Sequence, residues 1–284
     1  QRDNLKTNGF KLKNESAEKP NLERLTILSS IEDLSLIDEI DLVFIATKST
    51  NLYDVCTALK KVLSKNTFVM SYQNGFNTGK YIIENLLSQN VLRMVLHYGA
   101  DIENNNEVNI IYSTPPHLIG ALQKCHFAIA KDIADLLNEC NLQTIFKEDI
   151  EPDIWKKSIL NASTSPVCAL TRTTIKEAMN SPSKKLICRL LQEGIDVAKS
   201  EKIPLGEKFY DECVYYLSNI GHHYPSMVLD VLNHSPTEIT QLNEQICAIG
   251  NKHNTPTVAN ETIVSLIQTI DFKNIYTPKK MGNM

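Results

Sequence analysis

Residues 41–47 read Asp-Leu-Val-Phe-Ile-Ala-Thr (DLVFIAT), and this stretch is the strongest indication of the fold class. It is apolar on both faces, which is typical of a central strand in a parallel sheet that helices bury from both sides. Lys48 follows directly, and the pattern of NLYDVCTALKKVLSK at 51–65 predicts a helix. A buried strand, a short loop and a helix together indicate a βαβ arrangement.

Strand-like and helix-like stretches alternate through residues 1–150. Further strands are predicted at FKLK (10–13), LTILSS (25–30), TFVMSY (67–72), VLRMVLHY (91–98), NIIYS (109–113) and LQTIF (142–146). Besides 51–65, helical patterns occur at 77–88 and 126–140. Such alternation favours an α/β architecture with a largely parallel sheet.

The pattern changes at Glu151-Pro152-Asp153, because the residue before a proline is disfavoured in helical geometry. Beyond this point almost nothing resembles a strand. Helices are predicted at 153–160, 184–201, 206–220, 226–233, 237–252 and 260–270. The sequence therefore predicts two domains, an α/β domain at 1–150 and an all-helical domain at 151–284.

Composition excludes several classes of protein. The 284 residues include 29 basic and 33 acidic ones, for a net charge of −4, and 42% of all residues are hydrophobic. No basic patch suggests nucleic acid, and no apolar run approaches the roughly 20 residues of a membrane span. We also expect no signal peptide.

Seven cysteines occur at wide spacings without a C-x-x-C motif. This pattern argues against a disulfide framework or a structural zinc site, and it favours the reducing cytoplasm. We expect no metal. The chain begins with Gln1 rather than Met, so we expect the natural start of the polypeptide to lie upstream.

Two polar residues follow predicted strands at their carboxyl ends, where open parallel sheets bind ligands. Lys48 follows DLVFIAT, and Asn74, in Gln73-Asn74-Gly75, follows TFVMSY. Both could contact a cofactor. The alternatives are a solvated loop lysine and an ordinary Asn-Gly turn.

The segment WKKSILNASTSP at 155–166 places Lys157 and Asn161 one helical turn apart. An ammonium and an amide on one face suit a carbonyl substrate, because the lysine can protonate its oxygen and the amide can orient it. We expect the helix to bend or end at Ser165-Pro166. The alternative is an exposed polar face of an amphipathic helix.

Residues 225–246 contain two further candidates. Ser226 begins one predicted helix, and Glu238 lies at the start of another. Thr237-Glu238 is ordinary capping chemistry for a helix start. The functional alternative for Glu238 is a carboxylate that binds a cofactor.

These segments, in this order, resemble the ketopantoate reductase family (2-dehydropantoate 2-reductase). The matching pieces are DLVFIATK, SYQNG, YGA at 98–100, WKKSILNASTSP, SMVLDV, TEITQLN and TPTVAN at 255–260. The resemblance covers about residues 5–270. It implies a Rossmann-type domain at 1–150 that binds NADP and a helical substrate and catalytic domain at 151–284. It further implies NADPH-dependent reduction of ketopantoate, a small 2-keto acid, to pantoate, on the route to pantothenate and coenzyme A. A homodimer is also a family expectation.

The resemblance also implies a role for each matching position. Lys157 would be the catalytic general acid, and Lys48, the Ala100 backbone and Glu238 would contact the cofactor. Asn74 would serve both ligands. Besides Asn74, the residues that would bind the substrate are Asn161, Ser165 and Ser226.

Several positions depart from the family pattern. Ser165 and His223 stand where asparagine is usual, His97 stands where asparagine is frequent, and Ile175 is apolar near a substrate-contacting position. Altered polar groups change substrate discrimination, so a reductase of another small 2-keto acid is an alternative. A non-catalytic binding protein on the same fold is a second alternative. The joint presence of Lys157, Asn161, Ser226 and Glu238 disfavours it.

The glycine-rich G-x-G-x-x-G turn that opens the family fold has no counterpart in the sequence. That turn and its helix bind the cofactor pyrophosphate. We therefore expect that the first βαβ unit is missing from the chain as given, together with the residue that distinguishes NADP from NAD.

Overall fold

The computed structural model describes residues 11–13, 26–104 and 107–276. The strands are β1 (Lys11–Lys13), β2 (Leu42–Ile45), β3 (Phe68–Ser71), β4 (Val91–Val95), β5 (Tyr98–Asn104), β6 (Glu107–Ser113), β7 (His117–Ala121) and β8 (Thr144–Phe146). The helices are α1 (Leu52–Val62), α2 (Thr78–Leu86), α3 (Phe127–Glu139), α4 (Glu151–Thr171), α5 (Ile175–Met179), α6 (Lys184–Ser200), α7 (Phe209–Asn219), α8 (Ser226–Leu232), α9 (Asn243–Lys252) and α10 (Val258–Tyr276).

Five strands form the main sheet in the order β2-β3-β4-β7-β8, parallel except between β4 and β7. Neighbouring residues of one strand point to opposite faces. Accordingly Val69 and Met70 belong to different clusters of buried apolar side chains, as do Val91 and Leu92. The sheet is thus buried on both faces, which confirms the predicted α/β architecture.

The position of DLVFIAT in this sheet differs from the prediction. Among the described strands, β2 pairs only with β3 and lies at the sheet edge, and Phe44 is 46% exposed. Within the described residues, this strand is therefore not central, although it is apolar on both faces. The stretch LTILSS, predicted as a strand, forms none at 26–30, and its first residue lies outside the described part.

A second sheet has the order β1-β6-β5. The predicted strand at 91–98 is in fact divided between the two sheets, because β4 ends at Val95 and β5 begins at Tyr98. β5 and β6 pair antiparallel. Strands β5 and β7 were not predicted, because a hydrophobic pattern does not show where a chain moves from one sheet to another. The predicted strand at 10–13 is confirmed as β1 over its described residues.

From residue 147 to residue 276, the structure contains helices and no strand, as predicted. Their buried apolar side chains form one large cluster, in which Ile159, Ile187, Leu191 and Ile246 are fully buried. The short helix α5 was not predicted. Conversely, the predicted helix at 237–252 begins only at Asn243, after a turn at residues 239–242.

Helix α4 passes through Pro166 without ending, so the predicted end or bend at Ser165-Pro166 is wrong as a boundary. Proline lacks the N–H that would bond to the carbonyl four residues earlier, here that of Ala162. The Asn243 amide donates to the Ala162 oxygen at 2.8 Å and replaces the missing bond. Pro152 is tolerated because it lies in the first turn, where no donor is needed.

The chain divides into two compact units. The first lies within residues 1–46, 52–72 and 79–150, and the second lies within 47–51, 73–78 and 151–284. The second unit therefore includes the two short segments that carry Lys48 and Asn74. In the part of the chain that the structure describes, no helix is both long and apolar enough to cross a membrane.

Candidate active site

Lys48 lies in a tight turn just after β2. A 3₁₀ turn at Ser49–Asn51 follows it, and the Asn51 N–H donates to the Lys48 carbonyl at 3.0 Å. The buried Gln73 amide donates to the Thr47 carbonyl at 2.7 Å. These bonds link the two strand-end segments to each other.

Asn74 is positioned by the glycine that follows it. Gly75 has φ +111°, and a Cβ at this position would lie 2.8 Å from the Gln241 carbonyl oxygen. Only glycine allows this close approach without strain. Phe76 then packs edge-on against Trp155, with ring centroids 4.7 Å apart. The Asn-Gly turn therefore forms, and it also fixes the Asn74 side chain in the second unit.

Glu238 is buried and is held by three donors. The Ser49 N–H donates to Oε1 at 3.0 Å, the Ser49 hydroxyl donates to the same oxygen, and the Asn74 amide donates to Oε2 at 3.1 Å. No helix begins at Glu238, so the capping interpretation is wrong. The carboxylate is instead the centre of a polar network.

The turn that carries Glu238 is anchored to the last helix. Thr237 donates from its N–H and its hydroxyl to the Asp271 carboxylate, at 3.3 and 2.7 Å. Thr237 is buried, so these bonds are shielded from water. They fix the backbone immediately before Glu238.

Lys48 forms a salt bridge with Asp230 of α8. The Asp230 side chain is largely buried, whereas that of Lys48 is 43% exposed. Burial raises the pKa of the Asp230 carboxyl; the hydrogen bond and charge of Lys48 lower it, and Glu238 and Asp271 raise it further. Lys48 is therefore paired with a largely buried carboxylate, unlike a simple solvated loop lysine.

Helix α4 carries Lys157, Asn161 and Ser165 at intervals of four residues. Because the helix is continuous, these three positions lie along one side. The Asn161 amide donates to the Asn74 Oδ1 atom at 3.4 Å, Lys157 is half-buried, and Ser165 is buried. Helix α4 packs against α8, where Ser226 is exposed in the first turn, four residues before Asp230.

Three predicted residues are joined by hydrogen bonds, since Asn74 bonds to both Glu238 and Asn161. Lys48 forms a separate pair with Asp230, whose carboxyl pKa the charge of Glu238 raises. Ala100 belongs to the first unit, where it pairs with Ile110 beside a register shift between β5 and β6.

The departures from the family pattern have different environments. Ile175 is part of the apolar core of the second unit. His223 is half-buried, and burial lowers its pKa. His97 belongs to the first unit, where its N–H donates to the His117 ring at 3.1 Å.

Three residues of the site, Ser49, Asp230 and Asp271, were not predicted from the sequence. Asp230 had a signal, since it follows Ser226 by one helical turn in the SMVLDV segment. Ser49 had none beyond its place next to Lys48. Asp271 had no signal, because its role depends on packing between segments 34 residues apart.

The donor set fits a polar cofactor such as a nicotinamide nucleotide. The Lys48 ammonium has three hydrogens, of which the Asp230 bond uses one. Glu238 Oε2 accepts one bond from Asn74, and a carboxylate oxygen accepts about two. A cation for phosphate or ribose oxygens and an acceptor for hydroxyl or amide groups are therefore present.

The fold is similar to those of solved oxidoreductase structures. A D-mandelate dehydrogenase solved with NADH and anilino(oxo)acetate is 24% identical, with a TM-score of 0.84 over 96% of this chain and 88% of that chain. A dimeric ketopantoate reductase from Staphylococcus aureus is 22% identical, with a TM-score of 0.72 over 82% of this chain and 78% of that chain. The architecture is thus a Rossmann-type α/β unit combined with a helical unit.

The family follows from the sequence comparisons. The model "Ketopantoate reductase PanE/ApbA" matches residues 1–117, and its C-terminal counterpart matches residues 149–271. The 2-dehydropantoate 2-reductase of Streptococcus pyogenes serotype M3 is 27% identical over 81% of this chain and 76% of its own length. That of Aquifex aeolicus is also 27% identical, over 87% and 81%. The chain belongs to the ketopantoate reductase PanE/ApbA family.

Proposed function

We propose that this protein is an NADPH-dependent oxidoreductase that reduces 2-dehydropantoate to pantoate, a step towards pantothenate and coenzyme A. Family membership across both parts of the chain supports this function, as do the two curated relatives named for the same reaction. The main structural support is the hydrogen-bond network of Asn74, Asn161 and Glu238, together with the Lys48–Asp230 pair in the same compact unit.

Lys157 supplies the proton in this proposal. NADPH, when bound, supplies the hydride that reduces the ketone carbon. The Lys157 ammonium donates a proton to the ketone oxygen as negative charge develops there, which is general acid catalysis. Asn161, one turn away on α4, uses its amide to orient the same oxygen.

The remaining residues bind the two ligands. On the cofactor side are Lys48, Glu238 and the backbone at Ala100, and Asn74 serves both ligands. Ser165 and Ser226 contact the substrate together with Asn161. The proposed domain roles follow: residues 1–150 bind NADP, and residues 151–284 bind the substrate and carry Lys157.

We also propose a homodimer in the cytoplasm. The dimeric Staphylococcus aureus relative supports the oligomeric state through its shared fold. All seven cysteines are free thiols, which fits a reducing compartment.

The test is an NADPH-oxidation assay on the full-length protein with a panel of 2-keto acids. We expect the highest kcat/KM with 2-dehydropantoate and a lower value with NADH in place of NADPH. An absence of oxidation with every keto acid would refute the reductase function. Analytical ultracentrifugation of the same sample tests the dimer.

Ser165 favours a second candidate, a reductase of another small 2-keto acid. It is a buried hydroxyl on the side of α4 that carries Lys157. Ile175 gives no such support, because packing in the core explains its apolar side chain. If Ser165 sets the preference, Ser165→Asn should raise kcat/KM for 2-dehydropantoate over other keto acids by about fivefold, the worth of one hydrogen bond. An unchanged ratio would remove Ser165 from the specificity determinants.

A further inference from the structure

Ser49 contacts the proposed cofactor-binding carboxylate more closely than any residue assigned so far. It is 3% exposed, and both its N–H and its hydroxyl donate to Oε1 of Glu238. The N–H belongs to the backbone and is independent of residue type. The hydroxyl is therefore the contribution that serine itself makes.

These two bonds decide which lone pairs of Glu238 are occupied. A carboxylate oxygen accepts about two hydrogen bonds, so Ser49 saturates Oε1. Oε2 accepts one bond, from Asn74 at 3.1 Å, and keeps one acceptor position. Without the Ser49 hydroxyl, Oε1 would regain a free position, and the carboxylate could rotate towards other donors.

Among the side chains around Glu238, that of Ser49 is the main restraint on rotation of the carboxylate. Thr237 and Asp271 fix the backbone beside Glu238, and Gly75, next to Asn74, packs closely against the Gln241 backbone. Both ends of the network are thus anchored through neighbouring backbone. The torsion of the Glu238 side chain depends on the Ser49 hydroxyl and the Asn74 amide.

We infer that Ser49 is a positioning residue whose hydroxyl fixes the Glu238 carboxylate, so that Oε2 presents its remaining acceptor position to a hydroxyl or amide group of the nicotinamide cofactor. Ser49 acts through Glu238 and needs no contact with the cofactor. This inference rests on the proposed function.

The experiment measures the Kd of NADPH by calorimetric titration of the full-length Ser49→Ala variant. We expect Kd to rise about tenfold, the effect of one lost charge-assisted hydrogen bond. The KM for the keto acid should stay within twofold, by about 0.4 kcal/mol or less. Ser200→Ala is the matched control, because its hydroxyl donates to the Val197 carbonyl at 2.7 Å away from the network, and its Kd should not change.

A double-mutant cycle separates positioning from a general structural role. In a Glu238→Ala background, Ser49→Ala should have no further effect on the Kd of NADPH; an additive effect would overturn the inference. Should Ser49→Ala fold poorly, Ser49→Cys keeps an unbranched side chain that is only slightly larger and replaces the hydroxyl with a weak donor. It should weaken NADPH binding in the same direction.

The outcomes for the two proposals differ. Wild-type protein that binds NADPH as tightly as Ser49→Ala overturns the role of Ser49 alone. Wild-type protein that binds no NADPH overturns the proposed function, and this inference with it.

Discussion

At the scale of single residues, two neighbouring lysines have different environments. Lys157 lies one turn before Asn161 on the side of α4 that joins the network, whereas the Lys156 ammonium lies 5.9 Å from the centre of the Phe209 ring. Lys157→Met removes the proposed acid but keeps the aliphatic chain. We expect kcat to fall by about 10²–10⁴-fold, the usual contribution of general acid catalysis.

Lys156→Met is the control for that experiment. Steady-state NADPH oxidation should show near-normal kcat for this variant, and circular dichroism should show intact helices for both. Equal losses in the two variants would contradict the assignment of Lys157.

Asp230 should make stability depend on pH. Since burial raises its pKa, the buried carboxylate costs free energy once it is ionised. The protonated Asp230 carboxyl therefore contributes to stability. This contribution is fully present below the unfolded pKa of about 3.9 and is lost as pH rises through the higher folded pKa. Asp230→Asn removes this cost, so the Tm of the variant relative to wild type should be higher at pH 7 than at pH 4.

Asp196→Asn provides the comparison for Asp230, because this carboxylate is 45% exposed and lies 3.9 Å from Lys199. The free energy of unfolding of Asp196→Asn should differ from that of wild type by about 0.5 kcal/mol or less. Thermal melts at both pH values give the comparison. If the Tm of Asp230→Asn relative to wild type were instead higher at pH 4 than at pH 7, the ionised carboxylate would stabilise the fold.

At the scale of elements, the continuity of α4 depends on a side chain from another helix. Asn243, fully buried at the start of α9, bonds to the Ala162 carbonyl that Pro166 leaves without a partner in its own helix. Asn243→Ala leaves that carbonyl buried and unsatisfied. We expect the free energy of unfolding to fall by about 1–3 kcal/mol in urea denaturation.

Pro166→Ala is the partner variant for this prediction. It restores the N–H of residue 166, so the Ala162 carbonyl regains a helical bond. In that background Asn243→Ala should cost about 1 kcal/mol less than in wild type. Equal costs in both backgrounds would show that Asn243 acts through Asn260, to which it also donates at 2.9 Å.

At the scale of the whole molecule, the cofactor should stabilise the protein through linkage. The network residues belong to one compact unit with its own apolar core. A ligand that binds only the folded state at 100 times its Kd adds about 2.7 kcal/mol. Scanning calorimetry should therefore show a Tm higher by on the order of 5 °C with NADPH.

The same concentration of NADH serves as the control and should give a smaller shift. This comparison tests the choice of NADPH independently of turnover. A larger shift with NADH would reverse the assigned cofactor preference.

Local signals in the sequence were sufficient for the order of most elements and for the candidate residues. Hydrophobic periodicity indicates where strands change to helices near residue 150, and Lys157 and Asn161 share a face simply because they are four residues apart. Asn74 and Glu238 came from short motifs whose alternatives, a turn and a helix cap, were open until the contacts were known. Of these alternatives the turn is present, and the cap is not.

The α/β and helical organisation, the family and the candidate polar side chains could be predicted from the sequence, because they follow from patterns within single segments. Three features required the folded chain: DLVFIAT is an edge strand among the described residues, α4 continues through Pro166, and Ser49 and Asn74 bond to Glu238. Each of these outcomes depends on a partner far away in the chain: β3 for the edge, Asn243 for the helix, and a segment 189 residues away for Ser49. Such partners are brought together by burial of apolar side chains, which no local pattern records.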